Sequence, residues 1–139
     1  MIQDWTASLI HLVFLSIVIY LWKSKSDLNF KIAAILILLA CIWGLHWIFI
    51  SLTKFGGLNF FIAVIATILL SGYVASFYLI SGFLIKKFKL GPFNIASLVC
   101  LAEWAKSNFF GGFPWLNIGV LQIDSVFSFY APYIGSFGV

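Results

Sequence analysis

Long apolar runs broken by short polar ones constrain this chain more than any other feature. Four such runs cover about residues 5–22, 32–52, 58–85 and 93–110, and a fifth begins near 126 and continues to 139. At a helical rise of about 1.5 Å per residue, the first run reaches roughly 27 Å, close to the thickness of a bilayer core. Runs of about 20 residues are too long for strands, which usually hold about 3–10. They also lack the alternation of a lipid-facing barrel strand. In hydrocarbon every backbone N–H and C=O must be bonded within the structure, and that requirement favours helices. The predicted fold class is therefore all-α: a polytopic transmembrane helix bundle with four full spans plus the start of a fifth, forming one domain over residues 1–139.

Composition supports the same solvent. Of the 139 residues, 63% are hydrophobic and 9% charged; a soluble domain carries about 25% charged and about 45–50% apolar residues. The net charge of +4 does not point to nucleic acid, because the lysines cluster between apolar runs and no basic patch interleaves with exposed aromatics. Cys41 and Cys100 both lie inside apolar runs and read as small buried hydrophobes. Met1-Ile2-Gln3-Asp4 lacks a basic signal-peptide start, so the first run reads as a retained span. The break at 23–31 holds Lys23, Lys25 and Lys31, and that at 86–92 holds Lys86, Lys87 and Lys89, whereas the middle break holds only Lys54. The positive-inside rule then assigns 23–31 and 86–92 to the cytoplasm and the N-terminus and the 111–125 loop to the outer face.

Few residues could carry chemistry. Glu103 and Lys106 stand at i and i+3 and share a helix face. A charge at membrane depth costs about 2.5–3.5 kcal/mol even on the lenient insertion scale, so such residues usually face the protein interior and pair. One reading is a structural ion pair with Lys106 snorkelling toward headgroups; the other is a polar anchor that shapes a lipid-headgroup site or docks an extramembrane domain. Gly111-Gly112-Phe113-Pro114-Trp115 stops the helix at the membrane surface, since Gly permits angles other residues avoid and Pro removes a donor. It reads as an interfacial turn with aromatic anchors or as the rim of a lipid entry site. Phe55-Gly56-Gly57 reads similarly. His11 and His46 have no Cys, Asp or Glu at ligand spacing, so no metal is implied; each reads as a packing histidine bonded to a neighbour. No nucleophile has a base and an orienting group in reach, and no cofactor is implied.

Three ordered motifs resemble the membrane portion of the apolipoprotein N-acyltransferases. Trp47-Ile48-Phe49-Ile50-Ser51-Leu52, followed by Phe55-Gly56-Gly57, resembles the end of an early helix in that family. Ala102-Glu103-Trp104-Ala105-Lys106 leading to Gly112-Phe113-Pro114-Trp115 resembles its most recognisable membrane signature, and Gly119-Val120-Leu121-Gln122 and Ala131-Pro132-Tyr133-Ile134-Gly135 follow its pattern. Lys106 stands where the family usually has Arg, and Phe49 and Val120 where it usually has Tyr. The resemblance implies a bacterial inner-membrane, multi-pass protein whose partners are a phospholipid acyl donor and a lipoprotein substrate. It implies Trp47, Ser51, Phe55, Gly56, Gly57, Glu103, Lys106, Gly112, Phe113, Pro114, Trp115 and Gln122 as lipid- or substrate-site candidates. The family's reaction takes an acyl chain onto the Cys of a Glu-Lys-Cys triad and passes it to the α-amine of diacylglyceryl-cysteine. That triad lies in a nitrilase-like domain absent from these 139 residues, so the chain is expected to be a fragment or a reduced relative, inactive alone. A stand-alone membrane scaffold or lipid-binding protein is the alternative, with a small transporter subunit ranked behind it for want of polar path-lining residues or inverted repeats.

Overall fold

The computed structural model describes residues 5–122 and 125–138. Met1-Ile2-Gln3-Asp4, Asp124 at the end of the expected outer loop, and Val139 fall outside them. The described chain is helical: α1 (Trp5–Lys23), α2 (Asp27–Lys54), α3 (Phe60–Phe88), α4 (Pro92–Asn108) and a short α5 (Ala131–Gly138). Short 3-10 turns at Phe109–Gly111, Val120–Gln122 and Val126–Tyr130 lie between α4 and α5.

Among the described residues, three helices (α1, α2 and α3) are long and apolar enough to cross a membrane. The expected fourth span is α4, 17 residues long. The expected start of a fifth is the 3-10 turn Val126–Tyr130 followed by α5, kinked where Gly135 takes φ 67°. Helix boundaries follow local chemistry. α2 begins at Asp27, five residues before its apolar run, because Ser26 is extended and Asp27 places a carboxylate in the positive first turn. Asn59 caps α3 by accepting from the Phe61 amide at 2.9 Å. Lys89 leaves α3 in the left-handed conformation. Gly91 and then Pro92 open α4, proline's preferred place in a helix.

Packing is built on small residues. α2 turns Ala33, Ile37, Cys41 and Leu45 inward, one every four residues. α3 answers with Ala63, Thr67, Ser71, Ala75 and Gly82, which let the backbones approach as membrane helices require. The Thr67 and Ser71 hydroxyls donate to carbonyls one turn back in their own helix, each at 2.8 Å, so they bring no unpaired donor into the core. The Trp22 side chain of α1 packs against Gly82, where an added Cβ would stand 2.3 Å from the indole. The apolar residues left over face outward: only 17–28% of the residues in the spanning windows are buried, as lipid-facing helices demand.

Two expectations change here. Cys41 is buried, but Cys100 is exposed. Ile95, Ala102, Glu103 and Lys106 set the inward face of α4, and Cys100 falls off that face. His46 is also exposed, and its Nδ1 meets the Trp43 carbonyl of its own helix rather than a group on another.

The alternation of helix directions gathers Lys23, Lys25, Lys31, Lys86, Lys87 and Lys89 at one end of the bundle, where α1 and α3 finish and α2 begins. Lys86 bonds Asp27 across the α2–α3 contact and lies 5.5 Å from the Phe30 ring.

Candidate functional site

The last two turns of α4 carry Glu103 and Lys106 into the protein, against Tyr78 in the middle of α3. Both side chains are buried, Lys106 at 0% exposure and Glu103 at 5%. The Lys106 ammonium stands 2.9 Å from Glu103 Oε2, a charge contact not aligned as a hydrogen bond. It donates to the Tyr78 hydroxyl at 2.9 Å and to the Leu116 carbonyl at 3.1 Å, and sits 5.3 Å from the centre of the Tyr78 ring. The Tyr78 hydroxyl in turn donates to Glu103 Oε1. An ammonium has three donors; here two donate to oxygens, and the charge is met by the Glu103 carboxylate. Lys106 therefore does not snorkel: the acceptors lie inward, and a turn toward headgroups would abandon them. The ion pair is formed, and the outward-reaching lysine expected with it is corrected.

The same residues hold the loop after α4. The Lys106 carbonyl accepts from the Phe113 amide, and the Phe109 carbonyl from the Gly112 amide, both at 2.9 Å. Gly112 has φ 77°, and a Cβ there would lie 2.2 Å from the Ser107 carbonyl, so the turn requires glycine. It swings Phe113 back onto the core. Leu116 follows with its side chain against Gly44 of α2, where an added Cβ would meet Leu116 Cδ2 at 2.5 Å. Between them Trp115 meets Trp47 edge to face, centroids 5.4 Å apart, with both rings about half exposed. Pro114 is exposed.

Of the sequence-predicted residues, Trp47, Glu103, Lys106, Gly112, Phe113, Pro114 and Trp115 thus come together. Ser51, Phe55, Gly56 and Gly57 build the α2–α3 turn: the Ser51 carbonyl accepts from the Phe55 and Gly56 amides, and Gly57 takes φ 62°. Among the described residues no hydrogen bond or ring contact joins that turn to the buried pair. Gln122 is buried in the Val120–Gln122 turn beside α1, where Ser8 donates to the Leu121 carbonyl. Its backbone is bonded, but neither side-chain amide atom has a partner. Sequence reasoning missed Tyr78, whose only signal was a hydroxyl in the middle of an apolar span. It also missed Asn117, buried, whose Oδ1 accepts from the Val120 amide at 3.2 Å and shapes the loop.

Chemically the cluster is a neutralised clamp: it fixes a loop with an aromatic rim. Among the described residues, no three His, Cys, Asp or Glu side chains gather as metal ligands would.

The model of one protein family, described as the apolipoprotein N-acyltransferase N-terminal domain, matches residues 2–139. The apolipoprotein N-acyltransferase of Haemophilus ducreyi is 38% identical over 97 residues, covering 69% of this chain and 19% of the relative. Those of Nitrosomonas europaea and Methylococcus capsulatus are 36% and 35% identical over 102 residues, each covering 69% of this chain and 20% of the relative. The chain thus spans about a fifth of the length of the curated relatives it matches. No solved structure matches it.

Proposed function

Because the chain belongs to the apolipoprotein N-acyltransferase family, over that family's N-terminal domain, we propose that it is the membrane portion of such an enzyme, in the inner membrane of a bacterium. Its task is to hold the acyl chains of a phospholipid donor and of a diacylglyceryl lipoprotein beside a catalytic domain, which transfers an acyl chain to the lipoprotein's terminal amine. α4 is the fourth span and the last stretch enters the membrane as a fifth. The lysine-rich end faces the cytoplasm, and the 111–125 loop faces the periplasm, where the catalytic domain sits.

The observation that carries this reading is the buried clamp of Glu103, Lys106 and Tyr78 on the Leu116 carbonyl. Burying charges in a thin bundle is costly, and here the expense goes into fixing one loop and its Trp47–Trp115 rim. That rim has the amphipathic rings suited to headgroup depth. Gly56 and Gly57, in the α2–α3 turn, and Gln122 belong to the same outer end and line its approach.

The test exchanges the matching segment of the Haemophilus ducreyi relative for this chain and measures acyl transfer from phospholipid to a diacylated lipopeptide. The chimera transfers, its Lys106→Met form does not, and this chain alone is inactive. Transfer by the isolated chain, or full activity in the Lys106→Met chimera, would refute the proposal.

A further inference from the structure

A cleft of about 400 Å³ runs between α1 and α4, with Ile118 and Gly119 of the following loop and Ser136 and Phe137 of α5 completing its lining. Its walls are apolar, with Ile19 on one side and Ala96 and Val99 on the other. Its far end reaches Glu103, whose charge Lys106 balances. Its mouth is formed by Lys23, the last residue of α1, and Pro92, the first of α4. Along α4, from residue 92 to residue 103, the cleft extends roughly 16 Å at the helical rise per residue.

The two ends of the cleft differ in charge. Lys23 is exposed and has no ion-pair partner among the described residues. It stands among the six lysines of that end, where Asp27, the carboxylate described there, is already bonded to Lys86. The first turn of α4, positive by its macrodipole, opens beside it. Apolar walls under a cationic mouth, at the edge of a membrane, complement a molecule with a hydrocarbon tail and an anionic head. Basic sites between spanning helices recognise anionic lipid headgroups by this combination.

We propose that the cleft holds an anionic phospholipid of the leaflet at the lysine-rich end, its phosphate on Lys23 and one acyl chain between α1 and α4. The headgroup end of the site, at Lys23 and Pro92, lies at the opposite end of the bundle from the Trp47–Trp115 rim, and the cleft runs from there toward Glu103 beneath the clamp. The site requires only that the helices be in a membrane, so it does not depend on the acyl-transfer reading.

Native mass spectrometry of the purified chain, equilibrated in micelles with phosphatidylglycerol or phosphatidylcholine, tests this. Phosphatidylglycerol is retained preferentially. Lys23→Gln weakens its retention about fivefold, the weight of about one lysine at an anionic surface. Lys31→Gln removes the same charge at the same end, away from the cleft, and changes retention less than twofold. Ala96→Trp, which fills the cleft from an exposed position on α4, displaces the lipid while circular dichroism reports unchanged helix. Equal retention of the two lipids, equal weakening by the two lysine variants, or undiminished retention in Ala96→Trp would each overturn the proposal. The cleft would then be a face for another protein segment.

Discussion

Two lysine–carboxylate pairs stand at different levels of this bundle. Lys86 and Asp27 join α3 to α2 at the lysine-rich end, with the Asp27 side chain 91% exposed. Lys106 and Glu103 lie within α4, with side chains 0% and 5% exposed, and reach across to Tyr78. The charges are alike, and burial separates the two cases. Asp27 lies open and the Lys86 side chain, 21% exposed, is still reached by water or headgroups, so loss of this pair strands no fully buried charge. Removing one member of the buried pair leaves the other in a medium that cannot solvate it. A lysine in a membrane protein can thus be a topological marker or a fastener, according to what surrounds it.

The largest expected effect comes from breaking the buried pair. Lys106→Met strands Glu103 and releases the Leu116 carbonyl. It is expected to destabilise the protein by about 3–5 kcal/mol, read from unfolding titrations in micelles. Tyr78→Phe keeps both charges but removes the hydroxyl between them, and about 1.5–3 kcal/mol is the expected loss, the range for hydrogen bonds to charged groups. A double-mutant cycle on Trp47→Ala and Trp115→Ala probes the rim that the clamp carries. Its coupling should be about 0.5–1.5 kcal/mol, and it should vanish in the Lys106→Met background if that pair positions the loop. The smallest effect is Asp27→Asn, which should leave the unfolding midpoint unchanged within error. A midpoint shift there as large as that of Lys106→Met would break the comparison, since exposure would then have failed to separate the pairs.

How much of this was legible in the sequence depends on the range of the interaction. Each of the first four helices lies where its apolar run does, because transfer to lipid acts residue by residue. Limits moved only where capping intervened, as at Ser26 and Asp27. The turn at Gly111-Gly112-Phe113-Pro114-Trp115 was legible too, since Gly and Pro restrict local angles. Of the site, Glu103 and Lys106 announced themselves as charges in an apolar run. Their partners did not: Tyr78 is 25 residues from Glu103 and looks like any aromatic in a span. A backbone carbonyl such as that of Leu116 has no signature at all. Cys100 was misjudged for the complementary reason, since an apolar run does not reveal which side of its helix meets protein and which meets lipid.

What the sequence determined by itself is the solvent, the helical class and the gathering of lysines into two of the breaks. All three follow from hydropathy and backbone hydrogen bonding along the chain. The tertiary structure decided the rotation of each helix about its axis, set by contacts such as Trp22 on Gly82 and Leu116 on Gly44. That rotation turns Lys106 inward to three oxygens and leaves Lys23 free at the mouth of a cleft. Rotation is fixed by shape complementarity between distant segments, and no periodicity within one apolar run encodes it.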